Sequence, residues 1–484
     1  MTVVITEMIK EDKNMQTTPN LSRNIINFVS ALSRRKPDAL LFLFVSAIVF
    51  LSRLPFLNTG YGNDPDAWRV AITARNIATS GEYTASRLPG YPMQEIVCSF
   101  IWEGGPMALN GATALLSALG TAFFALSLKT LGYKNYICAS LALAFTPVIF
   151  INSTNSMDYM WALAFILVSL YYVLVKKSLI AGIFLGMAIG CRITSGAMII
   201  PLSLLLVQWG KYNVWHIARF SLATCFVGTA AFAPVFLKYG WGFFTFCEYN
   251  YPSAITIFRT STDEVWGKLG LVAILTAVIP SIFKRITRSD APMPTLVSRL
   301  QTIAWVLIIC IYLFAFIRLP SESGYLIPIV PFVILLLGRF LTQKCFIFVC
   351  IALICSPFIS ICRSGICSPI FVEHSTRIEK MKYIEQILLR ANVVSGKNII
   401  IAGTWLPQIR EAQIRKKLFL DPQERLKFVE LIDAIQLQRD IEQGFKIYYL
   451  DNQREYNLGV NKFDLLENGA VPFDFVQQDK PFSY

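Results

Sequence analysis

Apolar residues run along this chain in blocks longer than water-soluble folds use. From Ala39 to Cys362 the blocks recur, many of them about 17–22 residues long, with short polar segments between them. About 20 apolar residues in a helix cross the roughly 30 Å hydrocarbon of a bilayer. The pattern places spans at 39–57, 107–128, 135–152, 158–175, 178–191, 195–209, 217–237, 267–283, 301–317, 325–341 and 344–362. Pro147, Pro201 and Pro331 fall inside these runs and blur their ends. The expectation is an all-α polytopic membrane bundle of about 11–13 transmembrane helices.

After residue 362 the periodicity changes. The tail reads as helix (Glu373 to Ala391), strand (Asn398 to Ala402), helix (Pro422 to Glu442) and strand (Phe445 to Leu450), with Gly396, Gly403 and Gly444 as breaks. That alternation predicts a small α/β lobe. Three regions follow: 1–38, a polar N-terminal segment expected in the cytoplasm; 39–362, the membrane domain; and 363–484, an external soluble domain. No internal repeat is visible, whereas an inverted-repeat transporter often carries one.

Composition agrees with the pattern. Of 484 residues, 55% are hydrophobic and 15% charged, against about 25% charged in soluble domains. The net charge of +13 does not mark a nucleic-acid binder, because the basic residues fall in short clusters between apolar runs. They sort by side. With the N-terminus in the cytoplasm, Lys129 to Lys134, Lys176-Lys177, Lys211 to Arg219, Lys284 to Arg299 and Arg339 to Lys344 all lie inside, as the positive-inside rule requires. Loop 58–106 then lies outside, with loop 238–266 and turn 318–324. Arg34-Arg35-Lys36 precedes the first run, which reads as an uncleaved anchor. The chain has no CxxC and only 2 His, which argues against a structural zinc site. Cys362 and Cys367 could pair if they face an oxidising compartment, the alternative being two small hydrophobes.

The first external loop carries the densest polar chemistry. It opens Tyr61-Gly-Asn-Asp-Pro-Asp-Ala-Trp-Arg69, and small or apolar residues at 67, 70, 71, 74 and 78 then form one stripe at helical spacing. Arg69, Thr73, Asn76 and Ser80 form the opposite face, the pattern of a helix lying on a membrane surface. Asp64 and Asp66 stand at its N-terminal end, where the helix dipole favours a carboxylate. Each reads either as a helix cap or as a reactive carboxylate, with Asp64 the stronger cap.

This loop resembles the first external loop of the GT-C glycosyltransferases, particularly the aminoarabinose (lipid A) transferases and their protein O-mannosyltransferase relatives. In that group an Asp after the first span begins a surface helix ending in Gly. An Arg-Leu-x-Gly segment and a Glu follow. Here Asp66, Arg75, Gly81, Arg87-Leu88-Pro89-Gly90 and Glu95 stand at matching spacing. A second resemblance is Arg318-Leu-Pro-Ser-Glu-Ser-Gly-Tyr-Leu-Ile-Pro328-Ile-Val-Pro331, similar to the group's Arg-Tyr-Leu-x-Pro-x-x-Pro segment, with Gly324 where Arg is common. The resemblance covers roughly residues 39–345.

It implies an inverting transfer of a sugar from a polyprenyl-phosphate-sugar donor to a lipid, glycan or protein acceptor at the external face. Asp66 is then the general base. Arg192, in Gly190-Cys-Arg-Ile-Thr-Ser-Gly196, resembles the position where these enzymes carry Lys, and with Arg87 and Arg69 it is a candidate for the leaving phosphate. Asp158 begins the equivalent helix and reads as a residue that orients loop or metal, or as a cap; Tyr325 joins the donor-contact set. Glu95 reads as the ligand of a divalent metal or as the partner of a basic residue. Ile96 stands where Lys usually follows that Glu, and Glu248-Tyr249 replaces the group's later Glu-His pair; both departures count against a metal there. The competing reading is a polyprenyl-linked saccharide transporter or flippase, or a polymerase-like membrane protein. It would place ionisable residues at mid-bilayer, whereas this sequence crowds them into loops. The host is expected to be a bacterial inner membrane, with membrane lipids and the donor as partners and no nucleic acid.

Overall fold

The computed structural model describes residues 37–207, 214–244, 251–287, 296–362, 365–391, 394, 396–416, 426–430, 434–450 and 471–472. The first element among the described residues is α1 (Pro37–Arg53), followed by two loop helices, α2 (Pro65–Ser80) and α3 (Pro92–Ser99). The bundle continues through α4 (Gly105–Thr130), α5 (Tyr136–Phe145), α6 (Pro147–Asn152), α7 (Tyr159–Leu174), α8 (Ser178–Cys191), α9 (Ile199–Val207) and α10 (Val214–Tyr239). It closes with α11 (Ala254–Ser261), α12 (Asp263–Thr287), α13 (Leu296–Arg318), α14 (Val330–Phe340) and α15 (Gln343–Cys355). Among the described residues six helical segments are long and apolar enough to cross a bilayer, and five shorter apolar helices accompany them. The protein is an integral membrane protein built as a polytopic α-helical bundle.

Each of the eleven apolar runs carries helix, and the departures have local causes. Run 135–152 is broken between α5 and α6 because Pro147 offers no N–H to the helix ladder. Runs 195–209 and 325–341 open in 3₁₀ turns, Ile193–Met198 and Ser323–Ile329, the second containing Pro328. Packing inside the bundle relies on small residues. Gly182, Gly186 and Gly190 recur at four-residue spacing on α8 against α10; a Cβ on Gly186 would lie 2.6 Å from the Val227 Cβ. Backbones approach this closely only over such stripes. At the end of α1 the fully buried Arg53 stacks over Phe150 at 3.8 Å and donates to Ser153 Oγ at 2.9 Å and to the Ala144 carbonyl. This buried cation is fully engaged by its surroundings.

The tail forms a hairpin, β1 (Ser360–Cys362) and β2 (Gly365–Cys367), then α16 (Pro369–Ala391), β3 (Asn398–Ile401), α17 (Leu406–Lys416), β4 (Leu426–Val429), α18 (Ala434–Glu442), β5 (Lys446–Tyr449) and β6 (Val471–Pro472). The sheet order is β4-β3-β5-β6, and β3 pairs in parallel with both β4 and β5. Alternate residues serve opposite faces. Ile400 packs with Ile384, Leu388 and Ile409 of α16 and α17; Ile399 and Ile401 pack with Ile447 and Ile441. The lobe is thus a doubly wound α/β unit. One expectation needs correcting: Leu426–Val429, read as part of a helix from Pro422 to Glu442, is a strand beside β3, and α18 begins only at Ala434. Cys367 is disulfide-bonded; the Cys362 side chain lies outside the described residues.

Candidate active site

The site forms where many element ends meet. The C-terminal ends of α1, α8 and α13 and the N-terminal ends of α4, α7 and α14 all face the segment that carries α2 and α3.

Helix α2 starts as its sequence dictates. Asp64 is extended at the N-cap and its carboxylate accepts from Asp66 N at 2.8 Å, Pro65 follows, and Gly81 ends the helix in the left-handed region at φ 72°. Its buried face is Ala67, Trp68, Val70, Ala71, Thr73 and Ala74. Thr73 therefore belongs to the buried side, and Ala78 is exposed. Trp68 donates to the Gly62 carbonyl at 2.9 Å and packs edge-on against Tyr61. Gly60, at φ 72°, leaves room for that indole: a Cβ there would lie 2.8 Å from the ring. The helix does not lie bare on lipid. It is held between the bundle core and the lobe, through Tyr61 to Glu411 at 2.9 Å, Lys380 to the Asn63 carbonyl at 3.1 Å and Arg69 to Glu430 at 2.6 Å.

The second face of α2 enters a continuous chain of charges. Asp66 accepts from Arg69 Nη1 through Oδ1 at 3.0 Å and faces Arg87 Nε through Oδ2 at 3.0 Å. Arg87 Nη2 then reaches Asp158 Oδ1 at 2.7 Å, and Arg192 Nη1 reaches Asp158 Oδ2 at 2.5 Å. Asp158 is fully buried, whereas Asp66 remains 19% exposed. Aromatic rings fix both guanidiniums in place: Arg87 lies 4.1 Å over Tyr91, and Arg192 lies 4.3 Å over Tyr159 and 5.0 Å over Tyr325. Five of the residues singled out from the sequence (Asp66, Arg69, Arg87, Asp158 and Arg192) form one connected network, and Tyr325 lies against it. Asp158 stands at the N-cap of α7 without making a side-chain cap bond; its carboxylate serves the two arginines.

Two further carboxylates join: Asp64, read from the sequence chiefly as a cap, and Glu322, which the sequence did not single out as reactive. Asp64, Asp66 and Glu322 each bring an oxygen within 4.8 Å of the others. Burial, with the nearby charges of Glu322 and Asp66, pushes the Asp64 carboxyl up to about 7. Burial also raises Glu322, which accepts from the Tyr159 hydroxyl. Glu322 lies inside the Arg318–Pro331 segment, and its only sequence signal is a carboxylate in a turn between two apolar runs. Gly324 is required two residues later, because a Cβ there would lie 2.7 Å from the Tyr159 ring. The Tyr159 ring thus fills the space beside Gly324.

Glu95 has a different task from the one expected. It is fully buried and accepts from Ser86 N at 2.7 Å, Ser86 Oγ at 2.6 Å, Tyr91 N at 3.1 Å and the Tyr83 hydroxyl. It closes loop 83–91 and so places Arg87; it is not among the carboxylates that cluster. Glu248 and Tyr249 lie outside the described residues.

Chemically, the site offers hard oxygen donors beside fixed guanidiniums. Arg87 uses Nε and Nη2 on carboxylates, and its buried Nη1 has no hydrogen-bond partner among the described residues. A buried donor left unspent costs about 1–3 kcal/mol, so this position is suited to an anionic ligand. The three-carboxylate cluster suits a hard divalent cation of the magnesium or manganese kind, although both Asp66 oxygens already face guanidiniums.

No protein-family model matches the chain, and no characterised protein matches it by sequence. Among solved structures the chain is similar to ArnT from Cupriavidus metallidurans. The form bound to undecaprenyl phosphate matches at 18% identity over 74% of this chain and 65% of that one, TM-score 0.44; the apo form matches at 16% identity over 74% and 64%, TM-score 0.44. The chain thus spans just under two thirds of the length of that protein.

Proposed function

We propose that this protein is an inverting glycosyltransferase that takes its sugar from a polyprenyl-phosphate carrier, at the membrane face on which loop 58–106 lies. The acceptor hydroxyl attacks the anomeric carbon and its proton passes to an Asp66 oxygen. The bond from that carbon to the carrier phosphate breaks, and the electron pair leaves with the phosphate. Each carboxylate oxygen has two lone pairs, so Asp66 can accept a hydroxyl while Arg69 and Arg87 hold its orientation. The leaving phosphate gains a negative charge, and groups aimed at a charge that grows in the transition state raise the rate. The observation that carries this reading is the unspent Nη1 of Arg87, fixed between Asp66 and Asp158.

A divalent cation on Asp64, Asp66 and Glu322 would supply further charge neutralisation for the carrier phosphate. The carrier-bound sugar, the acceptor class and the external sidedness belong to this proposal, as does a bacterial inner membrane. The transporter reading is weaker, because the buried charge network lies at the ends of the spans rather than midway along them.

The test is Asp66→Asn assayed with a labelled polyprenyl-phosphate sugar. General-base loss lowers transfer by roughly 10²–10⁴-fold, with thermal unfolding close to wild type. Undiminished transfer by a folded variant would remove Asp66 as the base.

A further inference from the structure

The same helices that end at the site run to a polar cavity at their opposite ends. Helix α4 begins beside the loop and ends at Thr130, about 39 Å away at the rise of an α-helix; α14 follows the Glu322 turn and ends at Phe340. Between these far ends lies a cavity of about 390 Å³ whose lining includes Tyr133, Lys134, Asn135, Gln301, Arg339 and Gln343.

The lining has one sign of charge. Lys134 and Arg339 are its ionisable cations, three amide side chains join them, and no carboxylate contributes. Among the described residues neither cation is paired with an acid; Arg339 Nη1 meets only Gln301 Oε1, at 3.4 Å. Two cations and several neutral N–H donors around one hollow are the chemistry of a phosphate. The surroundings identify its source. Next to the lining residues in sequence, Ile137, Ile303 and Phe340 expose large apolar side chains. On helices this apolar such surfaces face lipid. A ligand with a charged head and apolar chains uses both features, whereas a free anion uses only the hollow.

We infer that this cavity binds the headgroup of an anionic phospholipid from the leaflet opposite the active site. Basic pockets between span ends hold such headgroups, each cation being worth about fivefold in affinity and two together about thirtyfold. The inference does not depend on the reaction proposed above, because neither residue belongs to that site.

The experiment reconstitutes the full chain in bilayers of phosphatidylcholine, or of equal parts phosphatidylcholine and phosphatidylglycerol. It measures the unfolding midpoint and, by native mass spectrometry, the phosphatidylglycerol retained. The anionic lipid is expected to raise the midpoint of the wild type. Lys134→Gln with Arg339→Gln should abolish the rise and reduce retention about thirtyfold. Lys134→Gln alone alters an exposed side chain, so folding is preserved, and should reduce retention about fivefold. Retention unchanged in both variants would overturn the inference. So would inorganic phosphate raising the midpoint in pure phosphatidylcholine as far as phosphatidylglycerol does, since the hollow would then be a free-anion site.

Discussion

Arg87→Lys is the substitution that tests the leaving-group side of the proposal most directly. Arg87 makes two carboxylate contacts through different nitrogens, at 3.0 Å to Asp66 and 2.7 Å to Asp158, and keeps Nη1 in reserve. A lysine retains the charge and can reach one carboxylate or the other, but a single ammonium cannot span both and present a third donor in the same plane. What is lost is one hydrogen bond to a charged group, about 1.5–3 kcal/mol. At 1.36 kcal/mol per factor of ten, this is roughly a 10- to 150-fold loss of rate. The loss should appear in kcat more than in KM, because the phosphate acquires its extra charge only as the bond breaks. The assay is single-turnover transfer from a labelled polyprenyl-phosphate sugar, repeated with a donor carrying a more acidic leaving group. The better leaving group needs less stabilisation, so the gap between variant and wild type should narrow. A variant that turns over at the wild-type rate refutes the role given to Arg87. One that loses the same factor on both donors refutes it equally, and thermal unfolding separates either result from misfolding.

The remaining predictions use other parts of the site. With the Asp64 carboxyl raised to about 7, the fraction ionised climbs between about pH 6 and 8, and transfer should rise over that window; Asp64→Asn should flatten this limb of the pH–rate profile, and a limb retained in the variant assigns it elsewhere. The sign for stability is the opposite. The folded chain holds a proton that the unfolded chain releases near the usual carboxyl value, so this contribution is complete below about pH 4 and is lost by about pH 7. Gly324→Ala should destabilise the protein by about 1–3 kcal/mol through overpacking, read as a lower unfolding midpoint, since its Cβ would meet the Tyr159 ring at 2.7 Å. Glu95→Gln replaces an acceptor that four donors converge on; it should cost about 1–3 kcal/mol and lower transfer through displacement of Arg87, without changing any response to added divalent cation.

What could be read from the sequence depended on whether each feature carries its own local pattern. Eleven apolar runs became helices because span length and composition are local, and Asp64-Pro65-Asp66 with Gly81 marked both ends of α2 before any partner was known. The lobe shows where that stops. Leu426–Val429 is a four-residue strand whose reason for being extended is β3, its parallel neighbour; taken alone, the flanking charged residues continue a helical pattern. Glu322 shows it again: its hydrogen-bond partner Tyr159 is 163 residues distant, and a lone carboxylate in a turn has no periodicity to be read. Glu95 failed in the opposite way. The motif drew attention to it, but its hydrogen bonding depends on four donors gathered by the closure of loop 83–91, which spacing does not encode. The same closure places Arg87 between Asp66 and Asp158. An isolated arginine in a surface loop would be an ordinary solvated cation. Held there by a buried carboxylate, with a donor to spare, it marks where the proposed reaction would release its phosphate.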